Sequence, residues 1–248
     1  MLVTDFDGVV IDGMAEYWWA ARQCALGLLP PLQDLPEAVP PLFRSLRPRV
    51  LTGWELPVLA AAIGGLAEPA EAFAENYPQA LARSLERLGW QQSLLSDQLD
   101  RVRQQALDSG RQGWLDRHQP YPWMLACLQG LQRQGSPWRV LTTKSAAFTL
   151  ELLAAHGLRP EAVHAREEGP KPARLLGLQQ QGLIPADCLF LEDRRLSLEE
   201  VRATPGLEQI RCRLASWGYL LPQDRLDLPE GIELISPADL EIPLANWP

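Results

Sequence analysis

Histidine and cysteine are scarce in this chain, three and four residues in 248. The cysteines, Cys24, Cys127, Cys188 and Cys212, lie far apart and form no C-x-x-C pair. That spacing argues against a zinc site or a disulfide frame and for reduced, mostly buried thiols. His118, His156 and His164 are equally scattered, so a histidine-rich metal centre is not expected. No apolar run approaches the roughly 18 residues that a membrane span needs. The opening has no basic segment, and Asp5 and Asp7 interrupt its apolar stretch, which is not the pattern of a signal peptide. Excess positive charge is missing as well: the net charge is −8 and the pI about 5.0. Nucleic acid and anionic membrane surfaces are therefore not expected partners, and a cytoplasmic location is. The 22 prolines scatter without a low-complexity tract, and no repeat of solenoid spacing occurs.

What the chain does have is material for a core, with 46% hydrophobic and 22% charged residues. Its length allows one large domain or a core with a smaller second unit. Short apolar, branched runs at Met1–Thr4, Arg139–Thr142, Ala162–Ala165, Cys188–Leu191 and Gln209–Leu214 read as buried parallel strands. Helical spacing lies between the later ones. Pro122–Gln134 is one such segment; Ser145–His156 opens on a capping serine and stops at Gly157. Pro172–Gln181 has proline in its first turn and stops at Gly182, and Leu198–Ala203 is a short helix. Strand and helix in alternation predict an α/β fold, a three-layer Rossmann-like core with a parallel central sheet. From Met14 to about His118 the rhythm breaks into helical segments divided by Pro and Gly. The expected organisation is a core of residues 1–13 and 119–248 with an inserted all-helical cap of residues 14–118.

Ligands of open α/β sheets sit beyond the carboxyl ends of the strands. Those ends carry Asp5-x-Asp7; then Thr142, Thr143 and Lys144; then Lys171 in EEGPKP; then Glu192-Asp193. Each has a plainer reading alone: a turn cap, a strand-end threonine, a loop lysine, acids at a helix start. Together they send carboxylates, a hydroxyl and an ammonium to one rim. In the helical stretch, Arg44, Arg47 and Arg49 concentrate near Glu55, either as a solvated basic face or as a clamp for a second anionic group of a substrate. The clusters Tyr17-Trp18-Trp19, Trp54, Trp90 and Trp114 read as packing.

The set DFDGV, LTT, the lysine of GPKP and LED, in that order, resembles the haloacid dehalogenase superfamily of Mg²⁺-dependent phosphatases and phosphotransferases. It is similar in particular to phosphoglycolate-phosphatase-like and β-phosphoglucomutase-like members with a helical cap after the first motif. YPW at Tyr121–Trp123 and ASWGY at Ala215–Tyr219 fit the same resemblance. The resemblance implies Asp5 as nucleophile through an aspartyl-phosphate, Asp7 as acid and base, and Thr142 and Lys171 on the phosphoryl oxygens. It implies Mg²⁺ as cofactor, with Asp5, the Asp7 carbonyl, Asp193 and Glu192 as its ligand set. Thr143, Lys144, Arg47 and Arg49 are the candidate substrate contacts. An acid at position 7 disfavours carbon–halogen cleavage, which members without it perform. Where many members carry a second aspartate in the fourth motif, this chain has Ser197. The expected function is hydrolysis of a small soluble phosphomonoester, such as a sugar phosphate or a phosphoglycolate-like acid, by a monomer or homodimer. A sugar phosphomutase using the same intermediate, and a catalytically silent binding module, are the alternatives.

Overall fold

A computed structural model describes residues 1–30 and 35–247. The chain divides into two compact units, Met1–Asp12 with Gln119–Pro248, and Gly13–His118. In chain order the elements are β1 (Leu2–Thr4), β2 (Ile11–Asp12), α1 (Met14–Leu28), α2 (Pro41–Leu46), α3 (Leu56–Ile63), α4 (Ala70–Glu75), α5 (Tyr77–Leu88) and α6 (Gln92–Leu115). Then follow β3 (Gln119–Pro120), α7 (Pro122–Arg133), β4 (Trp138–Leu141), α8 (Ala146–Ala155), β5 (Ala162–His164), α9 (Lys171–Gln180), β6 (Leu189–Glu192), α10 (Arg195–Arg202), β7 (Arg211–Ala215) and β8 (Ile232–Ile235).

The first unit is built on a six-stranded sheet of order β5-β4-β1-β6-β7-β8. Every pairing in it is parallel. Parallel strands need crossover connections: α8 joins β4 to β5, α9 joins β5 to β6 across the sheet, and α10 joins β6 to β7. Strand residues of both parities are buried: Leu2, Val140, Leu189 and Leu191 alternate with Val3, Leu141 and Phe190. Both faces of the central strands are therefore covered, which is why β1 and β6 read as nearly continuous apolar runs rather than as alternating ones. On one face Leu175 and Leu178 of α9 and Leu198 and Val201 of α10 pack on Val3, Phe190, Cys212 and Leu214. Each such side chain contributes about 1.5–3 kcal/mol by leaving water.

The second unit is helical. Its core joins Ala20 and Cys24 of α1 to Leu99 and Val102 of α6. Trp18 packs edge-on against Phe43 at 5.0 Å. Trp114 is fully buried, Trp90 nearly so, and Trp19 and Trp54 are half-buried. Glu55 caps its own turn and accepts from the Tyr77 hydroxyl at 2.7 Å. Among the described residues no helix is long and apolar enough to cross a membrane.

Local expectations about the capping serine and the starts of two helices need correction, and two of the plainer alternative readings do not hold. Ser145 precedes α8, yet its hydroxyl makes no capping bond. The helix expected at Pro172–Gln181 runs from Lys171 to Gln180, with Pro170 at the cap and Pro172 inside the first turn, so the plainer reading of Lys171 as a loop lysine does not hold. The short helix expected at Leu198–Ala203 is α10, which begins earlier, at Arg195; the plainer reading of Glu192-Asp193 as its opening acids does not hold. The two-residue pair β2–β3, antiparallel at the chain crossings, carries no periodic signal and goes unseen in the sequence.

Candidate active site

The sheet delivers its polar residues to the carboxyl ends of four strands. Asp5 leaves β1 with its backbone N–H still donating to the Leu191 carbonyl at 2.8 Å. The chain then reverses: Val10 and Ile11 both donate to the Phe6 carbonyl, and Gly8 donates to the Ile11 carbonyl. Gly8 takes φ +86°, which only glycine adopts readily. A second constraint falls on the same residue, since a Cβ there would lie 2.0 Å from Asp193 Oδ2. Gly218 is confined in the same way, with a Cβ only 2.1 Å from the Asp193 Cβ. The Asp193 side chain thus runs between two backbones that have no side chain to obstruct it. The Tyr219 N–H donates to its Oδ2 at 2.8 Å, and the Tyr219 hydroxyl donates to Asp12 at 2.7 Å. The sequence marks this contact only through the glycine of ASWGY.

Asp5, Glu192 and Asp193 are all buried, and each offers a carboxylate oxygen within 4.8 Å of the others. Lys171 Nζ lies 2.8 Å from Asp5 Oδ1 and 2.6 Å from Glu192 Oε2. The other Glu192 oxygen accepts from the Arg194 N–H at 3.1 Å. Burial and the Glu192 charge push the Asp5 carboxyl up to about 7, with Lys171 pulling the other way. Burial also raises the Glu192 carboxyl against the pull of Lys171. Burial alone would lower the Lys171 ammonium, but the charges and hydrogen bonds of its two carboxylates outweigh it and hold it above the usual lysine range. One ammonium does not balance three buried carboxylates. A hard divalent cation with oxygen ligands fits this donor set and supplies the missing charge.

Asp7 faces a different partner. Lys144 Nζ lies 3.3 Å from its Oδ1, and the lysine is buried. These are the chain's two lysines; every other cationic side chain of the Lys and Arg class is arginine. Thr142 is also buried, and its N–H donates to the His164 carbonyl at 2.9 Å. Its Oγ1 accepts from the Lys144 N–H at 3.1 Å, which leaves the hydroxyl proton to be donated elsewhere. Thr143 is exposed.

The structure therefore brings together Asp5, Asp7, Thr142, Lys144, Lys171, Glu192 and Asp193 within the first unit. Arg47 and Arg49 belong to the helical unit, on a 3₁₀ turn, both half-buried. The Arg47 guanidinium lies over the Tyr17 ring, 4.7 Å from its centroid.

No protein-family model matches the chain. It is 26% identical over 151 residues to N-acetylmuramic acid 6-phosphate phosphatase of Pseudomonas aeruginosa. That match covers 58% of this chain and 65% of the relative, so the likeness spans under two thirds of either length. Among solved structures it is similar to a predicted phosphoglycolate phosphatase of Haemophilus somnus, at 14% identity and a TM-score of 0.61 over 97% of this chain and 96% of that one. It is similar too to a haloacid dehalogenase-like family hydrolase of Streptococcus pneumoniae, at 14% identity and a TM-score of 0.56 over 97% and 95% of the two chains. The fold is that of the haloacid dehalogenase-like hydrolases, as the four sequence motifs imply.

Proposed function

We propose that the chain is a Mg²⁺-dependent phosphatase of small phosphomonoesters that works through an aspartyl-phosphate on Asp5. The observation that carries the reading is the buried Asp5 carboxyl held by Lys171 beside Glu192 and Asp193, with Asp7 two residues on and its Oδ1 3.3 Å from Lys144 Nζ. Asp5, Glu192, Asp193 and the Asp7 carbonyl are the groups that would hold the cation. When bound, Mg²⁺ supplies positive charge that lets an anionic ester approach neighbouring acids.

The chain's own residues do the rest. The Asp5 carboxylate attacks phosphorus, forming an O–P bond as the ester oxygen leaves, and Asp7 gives that oxygen its proton. Asp7, now ionised and steadied by Lys144, takes a proton from water as the water attacks the same phosphorus. Cleavage of the O–P bond returns Asp5 and releases inorganic phosphate. Thr142 donates its hydroxyl to the phosphoryl oxygens, a role its acceptor bond from Lys144 leaves open. Lys171 answers the charge on those oxygens and keeps Asp5 oriented; catalysis here is positioning and electrostatics. In the same reading Thr143 and Lys144 orient the ester.

The test is inorganic phosphate release from a panel of sugar phosphates and phosphorylated acids with MgCl₂, wild type against Asp5→Asn. The expected loss in the variant is about a thousandfold or more, the scale set by removing a nucleophile. A wild-type preparation inactive across the panel, or an Asp5→Asn variant as active as wild type, ends the reading. Acid-quenched wild type should also yield a phosphorylated peptide carrying Asp5.

A further inference from the structure

His164 stands at the carboxyl end of the edge strand β5 and is 5% exposed. Two sides of this one residue reach the candidate site. Its carbonyl accepts from the Thr142 N–H at 2.9 Å. Its ring reaches the turn that carries Lys171. Arg174, on the first turn of α9, aims Nη2 and Nε at the ring Nδ1, at 2.9 and 3.2 Å. Glu168, three residues before Lys171, lies 2.6 Å from Arg174 Nη2 and 3.2 Å from the same ring nitrogen. Between Glu168 and Lys171 the chain bends at Gly169, with φ +93° and ψ −167°, a conformation essentially reserved for glycine. The flanks of that bend, Glu168 before it and Arg174 after it, meet at the His164 ring.

Nδ1 thus lies between a guanidinium fork, from which a bare ring nitrogen accepts, and the Glu168 carboxylate, to which a protonated one donates, so the ring ties both flanks of the bend together in either tautomer. The charged groups around it are consistent with a neutral ring. Glu168 comes from the turn, Arg174 from α9 and Arg139 from β4, its Nη1 3.5 Å from Nε2. Arg139 is itself paired with Glu161 at 2.7 Å, and α8, which also packs on β5, carries one ionisable side chain, Glu151. Burial and the two guanidinium groups hold the imidazole below its ordinary pKa, while Glu168 works the other way.

We propose that His164 is a positioning residue: it fixes Thr142 through its carbonyl and the Lys171-bearing turn through its ring, so that both reach the phosphoryl group in register. The inference rests on the phosphatase reading for its consequence, but its structural half can be read without any activity. The chain has only two lysines, so the protein grown with lysine labelled with ¹³C at Cε shows two such signals, and Lys144→Arg assigns them.

Three variants separate positioning from bulk. His164→Asn retains an acceptor where Nδ1 stands, His164→Leu keeps volume without one, and Arg174→Gln removes the guanidinium from a side chain that is 24% exposed and so least needed for folding. The expected result is a displaced Lys171 signal in His164→Leu and Arg174→Gln, with Lys144 unmoved and His164→Asn close to wild type. On a chromogenic phosphate ester with MgCl₂, the first two should lose kcat by about tenfold to a hundredfold, the cost of a misplacement of about 1 Å, while KM changes by less than about twofold. A folded His164→Leu with wild-type Lys171 signal and kcat overturns the inference. So do equal losses in the Asn and Leu variants, or a drop in melting temperature with both readouts unchanged. If wild type releases no phosphate, the phosphatase reading falls, and the lysine signals alone then support or overturn the positioning role.

Discussion

Gly8 takes φ +86°, and a methyl group there would lie 2.0 Å from Asp193 Oδ2. Two penalties are combined at this position, and other glycines separate them. Gly182 has φ +69° with nothing within 4 Å of a built Cβ, so Gly182→Ala carries only the backbone cost. Gly218 has no left-handed φ but a Cβ 2.1 Å from that of Asp193, so Gly218→Ala carries only the displaced carboxylate. Gly182→Ala should lower stability by about 1–2 kcal/mol and leave phosphate release at the wild-type rate. Gly218→Ala should lose phosphate release, because Asp193 must move, and Gly8→Ala should lose it together with the backbone penalty. Thermal denaturation and phosphate release, measured on the three variants, decide the matter. A Gly218→Ala enzyme with wild-type turnover would mean that Asp193 is not needed where the structure holds it.

Between elements, the most demanding contact is in the helical unit. Glu16 of α1 is fully buried and accepts from Arg103 of α6 at 2.8 and 2.9 Å. Trp114 Nε1 lies 3.4 Å and His118 Nε2 4.0 Å from the same carboxylate. Removing one partner leaves a buried charge without its counter-ion, whereas removing both leaves an apolar contact. Arg103→Met should therefore cost about 3–5 kcal/mol, and Glu16→Leu with Arg103→Met should recover most of it. Urea denaturation of the single and double variants measures the difference, and a double variant no more stable than the single one contradicts it. Neither residue announces this role in sequence, because 87 positions separate them and each lies in an ordinary polar-apolar helical pattern. The sheet is more legible. β1, β4, β5, β6 and β7 all coincide with largely apolar runs to within a residue or two, since a parallel strand covered on both faces is mostly apolar; Arg139 and Arg213 are buried exceptions, paired with Glu161 and Glu233. Site chemistry is legible at the strand ends, where Asp5, Thr142 and Glu192-Asp193 break those runs. What stays hidden is pairing across the fold. That Lys144 is buried on Asp7, that Gly8 and Gly218 make room for Asp193, and that His164 gathers the α9 turn depend on strand order, which one-dimensional spacing does not carry. Lys171 was misplaced by one element boundary for a local reason: its flanking prolines suit both a loop and the first turn of a helix.

At the scale of the whole molecule, a net charge of −8 is spread over the chain, yet three of the acids are buried together in the unit Met1–Asp12 with Gln119–Pro248. Burial and the neighbouring Glu192 charge hold Asp5 at about 7 rather than 3.8. A group whose folded-state pKa is raised in this way favours folding when protonated. Its contribution therefore declines as pH climbs from about 4 through about 7, where the folded chain would otherwise keep a proton that the unfolded chain has already released. A cation that binds only the folded carboxylates works against this decline. At a hundred times its dissociation constant it adds about 2.7 kcal/mol, which corresponds to about 5–10 °C in melting temperature for a chain of this length. The gain from MgCl₂ should be larger at pH 8 than at pH 5, because protons compete with the cation for Asp5. It should not be reproduced by NaCl of equal ionic strength, and Asp193→Asn should lose most of it. Scanning calorimetry at the two pH values, with each salt, reads all of these together. A shift equal in NaCl and MgCl₂, or undiminished in Asp193→Asn, would place the stabilising cation somewhere other than among Asp5, Glu192 and Asp193.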